Sequence, residues 1–317
     1  MADIVLQTDH LTKKYGALIA VKDLTLQVLE GEVFGLLGPN GAGKTTTINM
    51  MCGLIKPDTG TVTIHGKHLS EGDEPIRSRV GVCPQEIVLW ERLTCFEQLQ
   101  FIGQMYGLKA SMARRNAENL LKELDLVEKR NKQARTLSGG MQRRLNLAMA
   151  LVHNPEIVVL DEPEAGLDPQ SRLKVRQYIQ NIAHEKTVIL TTHNMDEAER
   201  LADRVAIIDH GQLLVCDTVD ALKRRVGEGD VIEIEQDLKL DEDDIQRVKA
   251  GLQPLVGDVH IEASQRLITL RALNAVSILP AILVTMNKLS LQPGSINIRQ
   301  NTLEDVFIQL TGRRLRE

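Results

Sequence analysis

At 317 residues, with 43% apolar side chains, the chain is long enough to bury one large domain and a smaller one. Lys and Arg (38) nearly balance Asp and Glu (43), and the net charge of -5 removes any broad electrostatic case for nucleic acid as a partner. Cys52, Cys83, Cys95 and Cys216 form no CxxC pair and the eight histidines are scattered, which excludes a structural zinc site and fits a reducing cytosol.

The start, Met1-Ala2-Asp3-Ile4, has none of the charge, apolar run and small-residue site of an export signal. The longest apolar stretch, Ala275 to Met286, is broken by Ser277 and Pro280 and is short of the ~20 residues that cross a bilayer. Residues Ile4 to Leu6, Ala17 to Ala20, Leu24 to Val28 and Val33 to Leu37 read as short strands. The last of these is continuously apolar, as a strand buried on both faces would be. A helix follows from near Lys44, then strand character around Thr61 to Ile64. Between Leu93 and Val127 the spacing turns helical, with Phe96, Leu99, Ile102 and Met105 expected on one face and Leu120, Leu121 and Leu124 on another. Strands return at Ile157 to Leu160, Thr187 to Leu190 and Val205 to Ile208, with helices at Ser138 to Val152 and Pro169 to Ala183 between them. That alternation predicts a mostly parallel, doubly wound sheet ending near residue 220. Lys223 to Asp230 reads as a linker. Beyond it come strand Val231 to Glu235, helix Asp241 to Leu252, strands Asp258 to Ala263 and Arg266 to Ala272, helix Ala275 to Leu289 and strand Ile296 to Arg299, the β-α-β-β-α-β order of ferredoxin-like domains.

Gly38-Pro39-Asn40-Gly41-Ala42-Gly43-Lys44-Thr45 fits G-x-x-x-x-G-K-[ST]. Glycines let the backbone wrap closely enough for its N–H groups to face phosphate oxygens, and the following helix turns its positive end to the same anion. Lys44 then reaches the β and γ phosphates and the Thr45 hydroxyl ligates magnesium; Gly38, Asn40, Gly41, Gly43, Lys44, Thr45 and Thr46 are the candidate nucleotide-binding residues. A chance Gly-rich turn is the bland alternative, weakened by the buried strand before the loop and the helix after it. Ile157-Val158-Val159-Leu160-Asp161-Glu162 is an apolar strand ending in two carboxylates, which at the carboxyl end of a parallel sheet face the ligand crevice. Asp161 is expected to hold magnesium through its water shell, and Glu162 to polarise the attacking water. The competing reading has these acids cap the helix that follows.

Leu137-Ser138-Gly139-Gly140-Met141-Gln142-Arg143-Arg144, upstream of the acidic strand, resembles the signature loop of the ATP-binding cassette family. Further matches stand in order: Tyr15 in Lys-x-Tyr-Gly, Gln85 in Cys-Pro-Gln, Gly166-Leu167-Asp168, and His193 in Thr-Thr-His. The resemblance covers residues 1 to about 220. Together with Leu303-Glu304-Asp305-Val306-Phe307, the signature wording is similar to drug-resistance and nodulation-factor exporters, whose permease is a separate polypeptide.

The resemblance implies an α/β fold: a P-loop ATPase core of cassette type over residues 1–222, with an antiparallel β subdomain and a helical subdomain at about 90–150. A small α+β ferredoxin-like domain at 231–317 follows the linker at 223–230. It implies Mg-ATP hydrolysis in which Tyr15 stacks on adenine, Gln85 reaches magnesium and relays nucleotide status to the permease, and His193 touches the γ phosphate; Lys44 and Glu162 complete the catalytic set. Ser138, Gly139 and Gly140 would serve a second subunit's ATP, with Asp168 across that interface. The expected partners are transmembrane permease subunits and a second copy of this chain, on the inner face of the cell membrane. Glu86 to Trp90 and the helical segment would dock the permease, Trp90 either as an anchor or buried within the subunit.

One departure stands out: the family usually carries Thr or Ser where this chain has Glu164, a carboxylate expected either to repel the γ phosphate or, the favoured expectation, to point into solvent. Asp241 to Asp244 read as helix-start acids rather than a calcium loop, and Arg313, Arg314 and Arg316 as a solvated tail. The carboxyl-terminal domain carries no catalytic constellation and is expected to pair with its counterpart or regulate closure. The competing functions are a soluble mechanical ATPase of the same family, which usually has two cassettes or a long coiled coil, and an ATP sensor whose second domain binds a metabolite.

Overall fold

The computed structural model describes residues 3–69, 78–227, 229–237, 239–256, 261–272, 275–291 and 293–312. It forms two compact units, residues 1–219 and 220–315. The first is built on a six-stranded sheet of order β10-β9-β3-β8-β7-β6: Gln212–Thr218, Arg204–Asp209, Val33–Leu37, Thr187–Thr192, Ile157–Asp161 and Val80–Cys83. All neighbours are parallel except β9 and β10. Every residue of β3, β7 and β8 is buried, which accounts for their unbroken apolar runs: both faces are covered, so the chain has no solvent side to alternate towards. Register does the rest. Leu37 of β3 pairs with Thr192 of β8, Asp161 of β7 with Thr191, and Cys83 of β6 with Leu160. The residues just beyond these strands, Gly38, Glu162, His193 and Gln85, therefore emerge at one sheet edge.

A second, antiparallel sheet has the order β2-β1-β4-β5: Leu18–Leu29, Ile4–Tyr15, Thr59–Ile64 and Lys67–His68. Where two strands were expected within residues 17–28 there is one. Asp23 takes a left-handed φ of 54°, its N–H held by Thr12 Oγ1 at 3.1 Å, so the polar interruption is an irregularity inside a strand rather than its end.

The helical segment is a pair, Cys95–Met105 and Ala110–Glu123, the first opened by a capping box between Thr94 and Glu97. Gly103 lies so close to the second helix that a Cβ there would stand 3.0 Å from that of Ala113. The expected face of Phe96, Leu99, Ile102 and Met105 does not hold as a unit: Leu99 is buried and Met105 exposed. A strict three-residue spacing drifts about 60° per step around a helix, so its last member faces away from its first. Val80–Cys83, Met195–Leu201, Gln212–Thr218 and Leu303–Thr311 are elements that periodicity did not find.

In the second unit, β11 (Asp230–Gln236), β12 (Glu262–Ala263), β13 (Leu267–Ala272) and β14 (Pro293–Arg299) form a sheet of order β12-β13-β11-β14, with antiparallel neighbours throughout. That is the strand order of the split β-α-β-β-α-β arrangement. Helices Glu242–Val256 and Ala275–Lys288 bury Val248, Leu252, Ile282 and Met286 against Ile232, Ile234, Ile268 and Leu270. Asp241 accepts from the N–H of Asp244 at 2.7 Å, so the acidic run is a helix start. Arg299 bridges Glu233 and Asp305, and Asp305 also closes a capping box with Thr302 that fixes the helix Leu303–Thr311. Of the expected linker, Lys223 to Arg225 belong to the helix Val219–Arg225, Asp230 begins β11, and Glu228 is outside the described residues. So are residues 258–260 of an expected strand and Arg313, Arg314 and Arg316. Among the described residues, no helix is long and apolar enough to cross a membrane.

Candidate nucleotide site

The loop after β3 is shaped by glycines that no other residue can replace without moving the backbone. A Cβ on Gly38 would meet the Ile208 carbonyl oxygen at 2.3 Å, and one on Gly43, at φ 98°, would meet that of Ala20 at 2.4 Å. Gly43 then caps the helix Lys44–Met51 without a side chain of its own, leaving the first amide groups of the helix facing the loop. The Lys44 ammonium is buried; it donates to the carbonyls of Gly38 (2.8 Å) and Pro39 (3.1 Å) and lies 3.7 Å from Glu162 Oε1. Burial lowers its pKa, against the opposing pull of Glu162 and Asp161.

Asp161 ends β7 and Glu162 follows directly after it, and both are buried. Thr45 Oγ1 donates to Asp161 Oδ2 at 3.1 Å, and Thr191 Oγ1 donates to Asp161 Oδ1. Glu162 has a left-handed backbone, φ 47°, with its N–H held by the Thr191 hydroxyl (3.0 Å) and carbonyl (3.1 Å). Its carboxylate collects three of the predicted residues: Gln85 Nε2 donates to Oε2 at 3.1 Å, His193 Nδ1 lies 2.8 Å from Oε1, and Lys44 completes the set. Beside them opens a cleft of about 660 Å³ lined by Asn40, Gly41, Gly43, Lys44, Thr45, Thr46, Gln85 and Glu162, and also by Tyr15, Leu18, Ile19, Ala20 and His210. Tyr15 is 51% exposed, and Leu18 and Ile19 are exposed with it, an apolar shelf suited to a flat ring.

Ser138, Gly139, Gly140 and Asp168 do not line this cleft. Ser138 caps the helix Gly139–Leu151, and Gly140 is so close to the helix Pro169–Ile182 that a Cβ would stand 2.1 Å from Ser171 Oγ. Gly139 meets nothing within 4 Å, so the signature turn presents an open backbone. Asp168 caps the helix Pro169–Ile182 through the amides of Gln170 and Ser171, and its hydrogen bonds with the Ser171 hydroxyl and these amides hold its pKa below the ordinary carboxylate range.

Glu164 does not point into solvent. It is 5% exposed, and its two oxygens accept from Arg176 Nε (2.8 Å) and Nη2 (2.7 Å), a bidentate pair that neutralises the extra charge. Nearby, Glu197 is buried and accepts from Thr192 Oγ1 at 2.6 Å; burial raises its pKa to about 7, partly opposed by that bond. Sequence reasoning missed Arg176, Glu197, Thr191, His210 and the role of Arg143, whose partners are distant in sequence. Trp90 is exposed and packs edge-on against Phe101 at 5.3 Å, which answers for an exposed rather than an internal tryptophan.

The chain is similar to known proteins along its length. The ABC transporter family model matches residues 21–165. The linearmycin resistance ATP-binding protein LnrL of Bacillus subtilis is 35% identical over 99% of this chain and all of its own length. The Nod factor export ATP-binding protein I of Ralstonia nicotianae is 38% identical over 99% of this chain and 95% of its own. An ATP-binding cassette solved as a dimer in a post-hydrolysis state with ADP and Pi superposes with a TM-score of 0.62 at 28% identity, covering 67% of this chain and 98% of that one. The chain belongs to the ABC transporter family, as an ATP-hydrolysing subunit.

Proposed function

We propose that this subunit powers an exporter through ATP-driven closure of two copies of the chain, with the permease supplied by separate polypeptides. The relatives named for resistance and export support the direction, and the cassette dimer with ADP and Pi supports the pairing. One observation carries the mechanism: Gln85, His193 and Lys44 converge on the carboxylate of Glu162 at the edge of the cleft.

Triphosphate lies on the amides of residues 38–45, and Lys44 exchanges its contacts with Gly38 and Pro39 for β and γ oxygens. Tyr15 takes the adenine face. Thr45 and Asp161, whose oxygens already lie 3.1 Å apart, fit a magnesium ion, and Gln85, which lines the same cleft as Thr45, is the third residue assigned to it. When bound, that ion neutralises charge on the β and γ oxygens. Glu162 accepts the proton of the in-line water, and His193 supports the γ phosphate as charge builds. Ser138, Gly139, Gly140 and Asp168 act on the other subunit's nucleotide, so loss of the γ phosphate releases the closed pair.

In this reading residues 1–222 are the motor, 223–230 the connection and 231–317 an accessory domain. Association with the membrane is peripheral, through the permease, with the exposed Ile87, Val88 and Trp90 among its contacts. Glu162→Gln is expected to keep ATP affinity while turnover falls at least about a hundredfold, and Lys44→Ala to weaken binding itself. Parental turnover in the Glu162 variant would remove that residue from the role of base.

A further inference from the structure

Arg143, on the second turn of the helix Gly139–Leu151, is 3% exposed, and its five guanidinium N–H groups all end on main-chain carbonyls. Nε donates to Pro163 O (3.1 Å), Nη1 to Pro84 O (2.6 Å) and Gln85 O (3.0 Å), and Nη2 to Asp161 O (2.8 Å) and Glu162 O (2.9 Å). Burying a cation is costly unless it is fully satisfied, so the fork is a specific device rather than a tolerated charge. It joins the loop after β6, carrying Pro84 and Gln85, to the last residue of the neighbouring β7, Asp161, and the loop after it, which carries Glu162 and Pro163. It also holds the carbonyl of the residue with the left-handed backbone, Glu162, a conformation that persists only where its surroundings fix it. Five residues before Arg143, Ser138 caps the start of the same helix.

We propose that Arg143 is a positioning residue that ties the backbones of Gln85 and Glu162 to the signature helix, so that a nucleotide of the neighbouring subunit reaching Ser138–Gly140 is felt at this subunit's own catalytic carboxylate. The positioning part stands on the five bonds alone; the transmission part rests on the two-subunit reading above. The helix is the rigid body between the two sites. A displacement of its first turn moves the fork, and the fork moves both loops together. Each ATP site is thereby made to depend on the occupancy of the other without any contact between the two nucleotides.

The test uses the purified full chain as Arg143→Lys and Arg143→Gln. Lysine keeps the charge but has one nitrogen, which cannot span both loops, and glutamine keeps two donors without charge. Both are expected to bind ATP within about twofold of the parent, because no nucleotide contact is removed. Their kcat should fall about tenfold or more, well below the melting temperature, since a displacement of the base by an ångström or less is sufficient. The Hill coefficient for ATP should fall towards one, while the Glu162→Gln forms of both still dimerise with Mg-ATP. Unchanged kcat overturns the positioning role, and reduced kcat with unchanged cooperativity overturns the transmission. If neither variant folds, Arg143 is a fold determinant and the proposal falls. A parent that never dimerises with ATP refutes the two-subunit reading instead, and kcat still judges the positioning.

Discussion

Replacing Glu164 by Thr, one of the two residues, Thr or Ser, that the family resemblance leads one to expect there, is expected to destabilise this chain. The carboxylate is buried and holds Arg176 by two charge-assisted bonds of 2.8 and 2.7 Å, with Arg172 3.9 Å away. Removing one partner of a buried pair costs about 3 to 5 kcal/mol. The Arg176 side chain keeps 17% exposure and can regain some water, and Glu197 offers a second carboxylate nearby, so about 2 to 3 kcal/mol is expected. For a unit of this size that is a fall of roughly 5 to 10 °C in Tm. Differential scanning calorimetry of Glu164→Thr, Arg176→Leu and the double variant measures it. The double variant, with no charge stranded, should lie closer to the parent than the sum of the singles. ATPase turnover measured well below the melting range should stay within about threefold, because the pair neutralises Glu164 away from the γ phosphate. A Glu164→Thr protein as stable as the parent, or one with a large gain in turnover, would refute the reasoning.

Glu197→Gln should alter stability in a pH-dependent way. The folded pKa of about 7 lies above the ordinary 4.5, so the folded state holds the proton more tightly and this group's contribution falls as pH rises from 4.5 through 7. The variant should match the parent near pH 5 and exceed it near pH 8.5 by at most about 3 kcal/mol; an equal difference at both pH values contradicts this. Gly43→Ala forces a left-handed alanine, worth about 1 to 2 kcal/mol, and pushes a Cβ to 2.4 Å from the Ala20 carbonyl. Titration with a fluorescent ATP analogue should show affinity reduced at least about tenfold. Asp305→Ala removes the capping box and one side of the Arg299 bridge, at a cost of about 2 kcal/mol. Hydrogen exchange over residues 303–311 should accelerate, with Lys44 chemistry untouched.

The site was legible where its chemistry is local in sequence. Gly38 to Thr45 and Asp161-Glu162 are contiguous runs that can be recognised by residue type alone, and a parallel sheet brings their ends to one edge. The strands beneath were legible because full burial makes them continuously apolar. Arg143 and Arg176 were not, because a charged residue on a helix looks solvated until its partners are known, and those lie 12 to 59 residues away. Glu164 was misjudged for the same reason. The short strand Val80–Cys83 and the edge strand Gln212–Thr218 offer too few turns of either period to stand out. The face of the helix Cys95–Met105 was misjudged because the three-residue spacing of Phe96, Leu99, Ile102 and Met105 turns half way round the helix from first to last.

Sedimentation velocity of the Glu162→Gln chain with ATP and magnesium tests most directly whether two copies close on shared nucleotide. The account predicts a species of twice the monomer mass that disappears on chelation of magnesium and fails to form when Gly139, whose Cβ position is open within one chain, is replaced by Arg. A monomer under all conditions, or a dimer indifferent to the change at Gly139, would contradict it.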